Sequence, residues 1–129
     1  MFALDTNTVS YAMREQGGVA KRLRQLGNQQ IALPAPVVYE VNYGLRRVGR
    51  RTQLEAFARM VSAVKVLDFD LDAADHAAMI RVHLEAAGSP IGSIDVLIAA
   101  TARRHGCTLV THNTREFACV PDLLLDDWY

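Results

Sequence analysis

The stretch SIDVLIAATARRHGCTLVTHN, residues 93–113, decides the fold. Its first part carries apolar residues three and four apart with polar and charged residues among them, which predicts a helix over 94–105. It then changes character to TLVT, 108–111, an apolar run without polar alternation, as expected of a strand covered on both faces. An acid, Asp95, opens the helix, and His112 and Asn113 directly follow the strand.

The same alternation continues outward in both directions. Strands are predicted at FALD (2–5), IALP (31–34), VKVLDF (64–69) and LLL (123–125). Helices are predicted over 7–14, 19–27, 36–48, 51–63 and 72–87. Strands separated by helices imply right-handed crossovers, hence a three-layer α/β/α sandwich around a mostly parallel sheet of about five strands. Sites in such sheets form beyond the carboxyl ends of the strands, which puts Asp5, after the first run, on the same rim as His112 and Asn113.

The 129 residues fit one domain, 1–129, with no repeat or linker. Half of them are hydrophobic and 22% charged, with only 4 Pro and 8 Gly, a compact and not a disordered composition. Basic and acidic residues balance at 14 each, so the molecule as a whole is not drawn to a polyanion and any nucleic-acid contact is local. Cys107 and Cys119 match neither a disulfide framework nor a zinc pattern and both read as small core side chains, which suits a reducing cytoplasm. MFALDTN lacks a basic leader, and no run of about 18 apolar residues occurs, so neither export nor a membrane span is expected.

Most acids have an ordinary explanation. Asp68, Asp70, Asp72 and Asp75 leave a strand and open a helix, where negative charge complements the helix dipole. Asp5, Glu40 and Asp95 are different, because FAL, PVVYEVNYG and SIDVLIAATA hold each close to hydrophobic core. Singly, each still has a bland alternative: Asp5 as a helix cap, Asp95 as a first-turn acid after a Ser93 cap, and Glu40 in a salt bridge to Arg46 or Arg47. Gathered on one rim they would repel one another, and carboxylates so placed share protons or bind a cation. Oxygen ligands without Cys or His at metal spacing point to magnesium or manganese, and such ions suit phosphodiester hydrolysis.

Basic residues cluster at Lys21, Arg22 and Arg24, at Arg46, Arg47, Arg50 and Arg51, and at Arg103, Arg104 and Arg115. The second cluster follows the helix bearing Glu40 and is the best candidate to hold a nucleic-acid backbone. His76 and His83, two turns apart, read as surface or boundary residues, and His112 as structural. The helices around 37–45 and 54–64 carry more apolar surface than one small sheet covers, which suggests a partner.

With these residues in view, the chain resembles the PIN-domain ribonucleases and, within them, the VapC-type toxins of toxin-antitoxin pairs. The resemblance rests on LDTN (4–7), VVYEVNYG (37–44), PIGSIDVLIAATARRHG (90–106) and LVTHNTREF (109–117) followed by VPDLLLDDW (120–128). It implies that Asp5, Glu40 and Asp95 are the acidic triad of a Mg2+ or Mn2+ site, with the Thr6 hydroxyl supporting the pocket. Many relatives carry an aspartate where this chain has Asn113, and Glu116 is the nearby candidate to replace it, which implies one strong metal site and a weaker, substrate-assisted one. The implied activity is endonucleolytic cleavage of structured RNA leaving a 5′-phosphate. NTREF and PIGSID resemble members that cut the anticodon stem-loop of initiator tRNA. The implied partners are a second copy, forming a homodimer, and a VapB-type antitoxin whose C-terminal segment obstructs the pocket with an arginine. Two other classes fit the chain less well: an aspartate-nucleophile phosphatase, because Asn7 stands where its second acid belongs, and a catalytically silent binding module of the same fold, because the three acids are intact.

Overall fold

The computed structural model describes all 129 residues. Its elements follow the predicted alternation: β1 (Phe2–Leu4), α1 (Thr6–Met13), α2 (Val19–Leu26), β2 (Ile31–Pro34), α3 (Ala35–Arg47), α4 (Arg51–Ala63), β3 (Lys65–Leu67), α5 (Leu71–Ala86), α6 (Ser93–Arg104), β4 (Thr108–Val110), α7 (Thr114–Phe117) and β5 (Leu125–Asp126). The sheet order is β3-β2-β1-β4-β5, and every pair is parallel, so the sheet is wholly and not mostly parallel. The crossover direction reverses after β3, and right-handed connections therefore cover both faces with helix.

The strands form where apolar side chains run without interruption. Ala3, Leu4, Ile31, Ala32, Leu33, Leu67, Leu109 and Val110 are all buried, and Val37, Phe57, Ile80 and Ile98 pack onto them from the helices. Truncating one of these leucines to alanine costs about 2–5 kcal/mol in such a setting.

Several boundaries differ from the sequence expectation. The strand expected at 123–125 pairs instead through Leu125 and Asp126, in register with Leu109 and Val110. α6 starts at Ser93, with Gly92 as its cap and no side-chain capping bond, so Ser93 does not cap the helix that carries Asp95. α7 is a single turn in a stretch where the sequence predicts no helix. Cys107 is buried as expected, but Cys119 is exposed, because this short turn sends Phe117 and Val120 inward and leaves the residues between them in water. No helix is long and apolar enough to cross a membrane.

Candidate active site

β1 is the topological switch point of the sheet, flanked by β2 on one side and β4 on the other. Chains leaving β1 and β4 diverge there and open a crevice at their carboxyl ends. Asp5 is the first residue beyond β1. Its backbone N–H donates to Val110 O at 3.1 Å, tying it to the end of β4. The chain then turns directly into α1, and the Asp5 carboxylate caps that helix by accepting from Thr8 N at 2.8 Å through Oδ1. Thr8 Oγ1 fastens the same turn to Val110 O at 3.0 Å. Asp5 is thus both a cap and a rim acid, buried to 4% exposure with its second oxygen free of protein partners.

α3 packs against both α1 and α6, which carries Glu40 to the crevice between them. Glu40 is half-buried, and it accepts a hydrogen bond from the hydroxyl of Thr6, the first residue of α1. The salt bridge to Arg46 or Arg47 considered from sequence does not form. Asp95 enters from the first turn of α6, half-buried, with Oδ2 lying 3.4 Å from where a side chain at Gly92 would begin. Its carboxyl is pushed up to about 6, by burial first and then by the charges of Glu40, Asp5 and Glu116. The charges of Glu40, Asp5 and Glu116 are therefore all felt at Asp95.

Beyond β4, Thr111 Oγ1 accepts from Asn113 N at 3.0 Å, and Asn113 Nδ2 donates to Glu116 Oε2 at 2.8 Å. Glu116, held on α7, thereby reaches the site that Asn113 leaves without an acid. A helix of four residues is too short to show periodicity, but Asn followed three residues later by Glu was a readable start signal.

His112 turns away. Its Nδ1 lies 2.9 Å from Asp127 Oδ2, and its ring stacks on Tyr129 at 4.2 Å, which is a structural role. The arginines stand apart from the acids. Arg46 lines the groove between α3 and α4 with Val38, Asn42 and Leu54, Arg47 lies over Tyr43, and Arg50 caps α4 in water. None of the ion pairs in the protein involves Asp5, Glu40, Asp95 or Glu116. The donors are carboxylate and amide oxygens alone, a hard set suited to magnesium or manganese. As the side chains stand, no three acids close on a single point tightly enough to enclose an ion.

A parallel sheet of this order with an acidic crevice at its switch point defines a class. The PIN domain family matches residues 2–123. The chain is 30% identical over 128 residues to the tRNA(fMet)-specific endonuclease VapC of Salmonella typhimurium, covering 98% of this chain and 97% of that one. It is 31% identical over 131 residues to Ribonuclease VapC2 of Rickettsia felis, covering 99% and 98%. Among solved structures, DNA-bound VapBC from Salmonella typhimurium superimposes with a TM-score of 0.91 at 31% identity, over 99% of this chain and 98% of that one. The chain belongs to the PIN-domain family. Within it the chain is a VapC-type endoribonuclease, the toxin of a toxin-antitoxin system.

Proposed function

We propose that the chain, working as one PIN domain over 1–129, hydrolyses RNA with a divalent cation held by Asp5, Glu40 and Asp95. The observation that carries this is the placement of three acids without a cationic partner, Asp5 at the end of β1, Glu40 held by Thr6 and Asp95 opening α6, where burial first and then the charges of Glu40, Asp5 and Glu116 push the Asp95 carboxyl up. Magnesium or manganese relieves that repulsion and supplies Lewis acidity and an activated water.

The chain's own groups do the rest. Thr6 holds Glu40 toward the crevice, where its free oxygen orients the attacking water and takes its proton. The Asn113 amide, steadied by Glu116, presents its oxygen to a water or to the substrate without adding charge. Arg47 and the exposed Arg46 and Arg50 bind phosphates flanking the cut, and reversing their charges weakens cleavage more than cation binding.

The substrate we favour is tRNA, cut in the anticodon stem-loop of the initiator, which places the work in the cytoplasm and makes its consequence the arrest of translation. Support comes from a relative bearing the name tRNA(fMet)-specific endonuclease that spans 98% of the chain. The VapBC structure likewise supports a cognate VapB-type antitoxin, and the reading adds a homodimer of this chain assembling with it into a larger complex. The groove between α3 and α4, lined by Val38, Leu54 and Val61, supplies apolar surface for such a partner.

Incubating the antitoxin-free chain and magnesium with initiator tRNA, and in parallel with elongator tRNAs, tests the substrate. One cut in the initiator anticodon stem-loop with a 5′-phosphate is expected. Equal digestion of all tRNAs, or none of the initiator, contradicts it.

A further inference from the structure

Tyr39 and Tyr43 stand one turn apart on α3 and are 60% and 56% exposed. Their rings lie within 22° of parallel, with centroids 6.5 Å apart. One turn further on, the guanidinium of Arg47 lies 5.8 Å from the Tyr43 ring centroid. The three side chains make a ladder down the outer side of the helix. Core packing does not require it, because α3 buries Val37 and Val41 on its opposite side.

The ladder adjoins the acids. Glu40 follows Tyr39 directly, roughly 100° around the helix, and Thr6 fixes its carboxylate in the crevice. An occupant of the crevice that extends along the outer side of α3 meets Tyr39 and Tyr43 and then a basic end, Arg47 with the exposed Arg50 and Arg51 beyond it. Flat aromatic faces beside phosphate-binding cations are the chemistry that holds a single nucleic-acid strand, since every base has a π-face. Paired A-form RNA keeps its bases stacked on each other and offers no free face to the tyrosines.

We infer that Tyr39 and Tyr43, with Arg47, form a stacking platform that holds unpaired bases of the RNA strand next to the acidic crevice. This rests on the reading of the chain as a ribonuclease and adds to it that the strand beside the cut is unpaired.

The test measures binding of a short fluorescein-labelled RNA single strand of mixed sequence, and of the same strand in a perfect duplex, to the antitoxin-free protein with calcium replacing magnesium. Tyr39→Ala and Tyr43→Ala should each weaken single-strand binding about tenfold and leave duplex binding unchanged, while Tyr39→Phe and Tyr43→Phe bind as the parent does. Arg47→Ala should lower the slope of log affinity against log salt by about one. In magnesium, the alanine variants should raise KM for cleaved RNA more than they lower kcat.

Alanine variants that bind the single strand as tightly as the parent overturn the platform, as does an equal loss for strand and duplex. So does a changed sedimentation coefficient with RNA binding intact, which would assign the ladder to contact between two copies. Cleavage of total RNA by the parent protein is run alongside. If the parent cleaves and the variants match it in binding and KM, the platform alone falls; if the parent cleaves no RNA, the ribonuclease reading falls and the platform with it.

Discussion

The Thr6 hydroxyl donates a hydrogen bond to the Glu40 carboxylate, joining the first residue of α1 to the middle of α3 across 34 positions of sequence. Glu40 and Glu116 are each held by another residue's side chain, Thr6 and Asn113, whereas the Asp5 carboxylate is held by its cap on α1. Thr6→Val keeps the shape and removes the donor. It should lower kcat about tenfold, equivalent to about 1.4 kcal/mol of lost positioning, and lower stability by about 1–2 kcal/mol. Thr6→Ser should restore both, measured by single-turnover cleavage and urea unfolding. Full activity in the valine variant would remove Thr6 from the site.

Asp95 gives the metal-free protein a definite pH dependence. Its carboxyl is raised from 3.8 to about 6, so between those values the folded chain keeps a proton that the unfolded chain has released. That contribution to stability is complete below 3.8 and is lost as pH rises through about 6. In EDTA, Asp95→Asn should therefore melt above the parent at pH 7, with the gap shrinking as pH falls toward 4. With magnesium at pH 7 the order should reverse, because only the parent retains the ligand. A gap that does not change with pH would contradict this origin of the shift.

Asn113 sets the charge of the fourth corner. Asn113→Asp exchanges its 2.8 Å hydrogen bond to Glu116 for a like-charge contact and adds an acid to the crevice. Mn2+ affinity, read by titration calorimetry, should tighten several-fold, and half-maximal cleavage should shift to lower magnesium. Glu116→Gln should move both the other way, since Glu116 is one of the charges felt by Asp95. Unchanged affinity in both variants would place the corner outside the metal's reach.

The last residues are pinned against the α1–α2 turn, where Gly18 N donates to Tyr129 O at 2.8 Å. Gly17 has φ +63°, and a Cβ there would lie 2.4 Å from Tyr129 O. Gly49 has φ +69° with nothing near it. Gly17→Ala should therefore lose about 1–3 kcal/mol, more than Gly49→Ala, which meets strain without a clash. Urea unfolding followed by Trp128, the single tryptophan, which is buried against Phe2 at a centroid distance of 5.1 Å, reads the difference.

Much of this architecture was legible in the chain. The strand order in sequence was readable because a parallel sheet buries both faces, so IALP and TLVT show no polar alternation. Asp5, Glu40 and Asp95 stood out because apolar neighbours surround them, and Glu40 and Asp5 lie near enough for their charges to be felt at Asp95. The fourth corner was legible only as a choice between Asn113 and Glu116. It depends on α7, a single turn with no period, and on a side-chain bond between Asn113 and Glu116 that spacing only suggests. The apolar excess on α3 was read as a whole, but Val37 and Val41 go to the core while Tyr39 and Tyr43 stay in water, a division that needs the helix orientation. Which way each arginine after Glu40 points was not legible either, since Arg46 lines the α3–α4 groove while Arg47 lies over Tyr43.

The most direct measurement incubates antitoxin-free protein with total RNA in magnesium, in EDTA, and in EDTA followed by excess magnesium, alongside Asp5→Asn and Asp95→Asn, and maps the ends produced. The expected result is cleavage only where magnesium is free, with 5′-phosphate ends, and none from either folded variant. Cleavage that survives chelation, 2′,3′-cyclic phosphate ends, or full activity in either variant would contradict a metal held by these carboxylates.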